Sequence, residues 1–535
     1  MWFGARERPA LGWLSTPIQG IADSGVVIAP PTGYPYWCSH RTLRILAERL
    51  AAAGHAVLRI DYDGTGDSAG DQWDADRVDA WRATVALAVE QLRRLGAEHL
   101  TLVGARIGGT FALLDGRELG VDRVLAWMPV TTGRRYAKEL RLLSKPVPEG
   151  IDPLDPPGTL VVAGNVFSAQ TLHDLEALAV TSIEQPPAAA TLILDDPGGS
   201  AAKAVAHLRS IGAAVEHLQL DGGEDALETP PEFVTVPEEI VAVACDWIGA
   251  AGAATPAAVP ALPTRASLEW RGRRIEEEVI TLGPRGHVGV LTSPERLDPD
   301  TSTLVLLNPG SETHVGPGRA WVEYARDLTA TGRRTVRVDF LGWGESPDAG
   351  RAPGRPYDDA CVQDTVAIVE ELRGAGHERI AICGLCGSAW IALAAARRAP
   401  VEAVIALNPQ LYWKPGDPVE IDWDLIRTRR ATEIRRIERG ARLGLWTLLD
   451  WLGQRPGAAR WLDDLAARPM SIHLIFAEGD DGLVYLHQRL SRHLRGLRRI
   501  KVHELHEVDH PMHLTWLRPR VVEALAEALT EIDAG

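Results

Sequence analysis

The chain has 535 residues, 45% of them apolar and 24% charged, with a formal net charge of −16 at pH 7. That length exceeds one ordinary domain and the composition suits burial of sizeable cores, whereas so negative a charge excludes a partner that tracks nucleic-acid phosphates with a basic face. Five cysteines in so long a chain make no disulfide framework and agree with a reducing compartment.

The first residues, Met1 to Pro9, carry charges where a secretory signal would carry its apolar segment. No apolar run approaches the roughly 18 residues of a membrane span, so the sequence predicts a cytoplasmic protein with no membrane anchor. A strand and turn from Gly25 are followed by a helix over Arg41 to Ala53 and a strand from Ala56 to Asp61. That strand ends in Tyr62-Asp63-Gly64-Thr65-Gly66-Asp67-Ser68. A helix over 74–95 and a strand from His99 lead to Gly104-Ala105-Arg106-Ile107-Gly108, and a last strand from Val215 enters Asp221 to Asp225 without a histidine. Residues 249–264 are Ala, Pro and Gly with almost nothing else and no charge. Such a stretch cannot bury an apolar face, and it predicts domains over 1–250 and 267–535 joined by a linker at 251–266.

The second half repeats the order of the first, with a strand and turn at Ser302 to Gly310, a helix over Arg319 to Ala330, and a strand at Thr335 to Asp339. A turn ending in Gly342-Trp343-Gly344-Glu345-Ser346, a helix over 357–375 and a strand at Arg379 to Gly384 follow. Strands alternating with helices of this length predict a parallel sheet covered on both faces, twice over.

The halves part at their chemistry. Gly384-Leu385-Cys386-Gly387-Ser388 is a strand-to-helix elbow whose small residues flank a nucleophile position, because so crowded a turn tolerates only small neighbours. The turn also sets Cys386 at a helix N-terminus, which favours a thiolate. In this architecture an acid and then a histidine follow the nucleophile along the chain. The strand Ser471 to Phe476 runs into Glu478-Gly479-Asp480-Asp481, which offers Asp480, with Asp481 as its neighbour and rival; the strand Ile500 to Leu505 precedes Asp509-His510, which offers His510, with His513 as its rival. A closing helix is predicted from Pro519 to Ile532.

Cys383 and Cys386 also have CxxC spacing. A redox motif opens a helix with its first cysteine, however, and here Cys383 belongs to the strand; no second cysteine pair completes a zinc site. Neither a metal nor a cofactor is expected. In the first half Arg106 takes the nucleophile position, where it would either bind an anion at the helix N-terminus or pair with a local carboxylate.

Both halves resemble α/β-hydrolases of the serine aminopeptidase-like group, especially those found beside exosortase systems and in some biosynthetic gene clusters. The residues that carry the resemblance are Pro30-Pro31-Thr32-Gly33, Asp61 to Ser68 and Gly104 to Gly108 in the first half. In the second they are Asn308-Pro309-Gly310, Asp339, Gly342 to Ser346, the Cys386 elbow, Asp480 and Asp509-His510. The resemblance implies two tandem α/β-hydrolase domains, the first without a catalytic triad and the second with a helical lid at about 414–470. It also implies an oxyanion hole from the backbone N–H groups of Gly387 and Ser311. Cysteine in place of serine points to a thioester intermediate, hence to an activated small-molecule acyl substrate handed to water, an amine or, in a Dieckmann-type cyclase, an internal carbon. The arginines of the lid, from Arg427 to Arg442, suit an acidic acyl or peptidyl carrier protein or equally a solvated helix face. The opposing reading is a non-catalytic binding scaffold, with Cys386, Asp480 and His510 scattered in space.

Overall fold

The computed structural model describes residues 1–18, 20, 23–144, 157–231, 233–252, 260–298, 300–351, 357–411, 448, 452, 458–506, 508, 510, 512 and 515–534. Most of the predicted lid, the middle of the linker, His513 and Asp509 lie outside these residues.

The first half builds an eight-stranded sheet in the order β1-β2-β4-β3-β5-β6-β9-β10. These strands are β1 (Trp2–Ala5), β2 (Arg8–Ser15), β3 (Ser24–Ala29), β4 (Ala56–Ile60), β5 (His99–Ala105), β6 (Arg123–Trp127), β9 (Ala190–Asp195) and β10 (Val215–Gln219). A separate hairpin, β7 (Leu160–Val162) and β8 (Asn165–Phe167), stands outside this sheet. The second half builds a nine-stranded sheet in the order β11-β12-β13-β15-β14-β16-β17-β18-β19. Its strands are β11 (Arg265–Trp270), β12 (Arg273–Leu282), β13 (His287–Pro294), β14 (Thr303–Leu306), β15 (Thr335–Val338), β16 (Ile380–Leu385), β17 (Ala403–Leu407), β18 (Ser471–Ala477) and β19 (Ile500–Leu505).

From β4 to β10 and from β15 to β19 neighbouring strands are parallel, and the remaining strands add antiparallel edges. The central strands β16 and β17 are buried at every position, as expected of parallel strands covered by helices on both faces, whose sequences read as continuous apolar runs. The predicted helices form at Tyr34–Ala52, Arg77–Arg94, Ala320–Ala330, Asp359–Gly374 and Arg518–Ala534. The first starts earlier than its sequence suggests, with Pro35 in its opening turn supplying a preset φ where no N–H partner is needed. The antiparallel edge strands have no counterpart in the sequence expectations.

The two sheets meet at the C-terminal ends of their central strands. The turn after β4, from Asp61 to Ser68, and the turn after β15, from Asp339 to Ser346, exchange contacts in a pseudo-twofold manner. Arg337 of β15 pairs with Asp67, while Arg59 of β4 pairs with Glu345 through Nη1 at 3.1 Å, and none of the four side chains is more than 10% exposed. His314 bridges the halves, its Nε2 2.7 Å from Asp67 and its Nδ1 2.6 Å from Asp339. Arg326 closes the network with bonds to Glu277 at 2.8 Å and to the Asp67 carbonyl at 2.6 Å. An apolar wedge of Trp2, Leu11, Ala69, Leu268, Trp270 and Ile275 flanks it, and the β7–β8 hairpin adds Val161 to the core of the second half. Among the described residues no helix is long and apolar enough to cross a membrane.

Candidate active site

The site grows from the bend between β16 and the helix Gly387–Ala395. Cys386 takes φ 56° and ψ −112° there, a conformation that costs a non-glycine residue about 1–3 kcal/mol. The neighbours are small of necessity: a Cβ on Gly384 would stand 2.2 Å from the Ser388 carbonyl oxygen. Ser388 is tolerated because its hydroxyl turns inward, accepting the Leu385 N–H at 2.9 Å. In the first half Arg106 adopts nearly the same backbone, φ 50° and ψ −117°, at the start of the helix Ile107–Asp115. The elbow therefore survives there without a nucleophile, and the Arg106 guanidinium donates to Glu139 at 2.7 Å.

Asp480 follows β18 and caps the helix Asp481–Tyr485, accepting the Gly482 N–H at 2.8 Å on one carboxylate oxygen. Its other oxygen is hydrogen-bonded to His510 Nδ1. It is Asp480 and not Asp481 that meets the imidazole through this bond. A hydrogen bond and close charge contact also link His510 to Cys386, so the three sequence-predicted residues converge across three separate loops. The Tyr357 hydroxyl lies 3.9 Å from the sulfur.

Burial by itself would push the Cys386 thiol up, but the positive charge of His510 and hydrogen bonds from His510 and Tyr357 outweigh it and hold the thiol below its ordinary value. His510 moves the opposite way. Burial lowers it, while the Cys386 thiolate and the Asp480 carboxylate raise it well above the usual imidazole range. Both directions favour the charged pair, a thiolate beside an imidazolium, over the neutral one. Cys383 lies in β16, fully buried, where desolvation alone pushes its thiol far up.

One residue of the site escaped the sequence reading. Asn408, buried at the end of β17 with φ 48°, donates its side-chain N–H to the His510 carbonyl at 2.7 Å and accepts the Ala477 N–H at 2.7 Å. It thus ties the histidine loop to the strand that ends in the acid loop. The matching position in the first half is Met128, with φ 45° and a backbone bond to Leu194 at 2.7 Å where Asn408 bonds Ile475 at 2.8 Å. The available signal was the Asn408-Pro409 pair after an apolar strand, since asparagine tolerates the left-handed region.

Gly387 opens its helix, and Ser311 sits in the turn after β14. Neither N–H enters a described hydrogen bond. The Ser311 turn is held by Asn308, which donates to the Glu312 carbonyl at 2.9 Å and to Asp339 at 2.7 Å. Of the predicted lid, the helix Ala458–Ala466 is described. Its Trp461 packs 5.8 Å from Trp390, which lies 6.0 Å from Tyr357, so an aromatic row runs from the lid's base towards the thiol.

Residues 304–526 match the sequence profile of the Alpha/beta hydrolase family. The match lies wholly within the second half. No curated protein has a significantly similar sequence. Among solved structures the chain is similar to Est1E of Butyrivibrio proteoclasticus in its ferulic acid complex, at 15% identity over 46% of this chain and 97% of that one, with a TM-score of 0.37. It is also similar to the proline iminopeptidase of Mycobacterium smegmatis, at 17% identity over 48% and 99% with a TM-score of 0.32. A dienelactone hydrolase of Anabaena variabilis gives 14% identity over 48% and 97%, with a TM-score of 0.33.

Proposed function

We propose that this protein is a Cys-His-Asp acyl hydrolase or acyltransferase that works on thioesters through an acyl-cysteine intermediate. The observation that carries the reading is the half-buried Cys386 thiol, lowered beside a His510 that is itself bonded to Asp480. In the first step the Cys386 thiolate attacks the thioester carbonyl and a carbon–sulfur bond forms. The resulting oxyanion accepts hydrogen bonds from the N–H groups of Gly387 and Ser311, each worth roughly 3 kcal/mol. The bond to the leaving sulfur then breaks, and the His510 imidazolium protonates the departing thiolate. In the second step neutral His510 takes a proton from water or another acceptor, which attacks the acyl-cysteine. Cys386 leaves as thiolate beside the re-formed imidazolium, and Asp480 holds the ring in one orientation throughout.

A thioester suits this site better than an amide. Exchanging one thiolate for another is close to energy-neutral, so the leaving group asks little of the general acid. The elbow of the first half, which holds Arg106 in place of a nucleophile, takes no part in these steps.

Intact mass after exposure to an acyl N-acetylcysteamine thioester tests the reading. An adduct of one acyl group on the wild type, lost on Cys386→Ala, is the expected result. Equal turnover by both proteins would sink it.

A further inference from the structure

Between the halves lies a small cleft of about 40 Å³, open on one side. The first half lines it with Trp37, Arg41 and Arg44 of the helix Tyr34–Ala52, and the second with Ser311, Glu312 and Trp343. Two Arg41 atoms, Nε and Nη1, and the Ser311 hydroxyl are out of reach of solvent and have no hydrogen-bond partner. Their neighbours are committed elsewhere: Arg44 donates to the Ser346 carbonyl at 2.6 Å and to Asp348, and His40 bonds Glu345 at 2.7 Å. Glu312 is the one carboxylate among the described residues of the lining. With Arg44 taken up by Asp348, Arg41 is the guanidinium left for an incoming anion.

Desolvated donors without partners are costly, and a guanidinium in a cleft is best satisfied by a carboxylate or phosphate. We propose that this cleft holds an anionic group, carboxylate or phosphate, of the thioester substrate, with Arg41 of the first half as its cation. Ser311 connects the cleft to the chemistry, since its turn supplies the second oxyanion donor of the proposed mechanism. The first half thus contributes to the reaction across the interface, although its own elbow carries no nucleophile. This inference rests on the thioester reading and narrows its substrate.

Steady-state kinetics with three thioesters tests it: a neutral acyl N-acetylcysteamine, the same acyl group on phosphopantetheine, and an ω-carboxyacyl N-acetylcysteamine. Arg41→Gln is expected to raise KM at least tenfold for one anionic substrate, with kcat and the neutral substrate little changed, and Arg41→Lys to recover part of the loss. Which anionic substrate responds tells whether the charge belongs to the carrier arm or to the acyl chain. An equal effect on the neutral thioester, or less than a twofold effect on both anionic ones, overturns the proposal. If no thioester acylates Cys386, the catalytic reading has failed, and the cleft is judged by calorimetry of Cys386→Ala with phosphopantetheine and with glutarate. Binding abolished by Arg41→Gln then upholds an anion site; no binding of either overturns it.

Discussion

Arg337, on a central strand of the second half, and Asp67, in a turn of the first, form an ion pair with neither side chain exposed to solvent. Such a pair adds little over a well-packed apolar one, but breaking it strands a buried charge at about 3–5 kcal/mol. Arg337 retains Glu277 at 3.1 Å, while His314 loses the carboxylate that meets its Nε2. Asp67→Ala is therefore expected to lower stability by about 3 kcal/mol or more and to let the two halves melt apart. Calorimetry should replace one unfolding transition with two; a single unshifted transition would mean that the halves are held by the apolar wedge alone.

His314 gives the interface a pH dependence. Burial lowers its proton affinity, but Asp339 and Asp67 on either side outweigh burial and raise it well above the ordinary value, with Arg337 the opposing cation at Asp67. A histidine whose folded affinity exceeds its unfolded one, near 6.5, contributes stability that is complete below that pH and is lost as pH rises through the folded value. Wild type should thus lose more stability than His314→Gln on going from about pH 6.5 upward. Urea titrations of both proteins at a series of pH values measure the difference, and parallel curves would show that His314 is neutral in the folded state.

The thiolate–imidazolium pair predicts an alkylation profile. An ordinary thiol reacts about a hundredfold more slowly at two pH units below its midpoint, near 8.5. Cys386 should lose less of its iodoacetamide reactivity than an ordinary thiol on going down to about pH 6.5, and Asp480→Asn should return it towards the ordinary dependence. Cys38, Cys361 and Cys383 are buried, so a Cys245→Ala background removes the other partly accessible thiol. Mass-resolved labelling rates decide the matter.

Asn408 should matter through its carboxamide rather than its backbone. Asn408→Gly keeps the left-handed conformation at no steric cost yet leaves the His510 carbonyl and the Ala477 N–H without their partner, at about 1–3 kcal/mol for each buried group. The expected outcome is at least tenfold slower thioester turnover together with a loss of the low-pH alkylation of Cys386. Turnover within twofold of wild type would reduce Asn408 to a turn-former.

Much of this was legible in the residues. Alternating apolar strands and amphipathic helices gave the repeated α/β plan because a parallel sheet covered on both faces demands that pattern, and Gly384, Cys386 and Ser388 marked the bend because only small neighbours fit it. The choice between Asp480 and Asp481 was not legible, since adjacent carboxylates differ only in which one the helix cap turns towards His510. Asn408 was hidden because its role lies in two long-range hydrogen bonds that leave no local spacing. The meeting of the two sheets through the turns after β4 and β15, with Arg337 buried against Asp67 and Arg41 and Ser311 lining one cleft, was decided by the tertiary structure alone. Local pattern governs which face of a strand or helix is apolar, whereas the partner of a buried charge is set by whatever distant segment the packing carries to it.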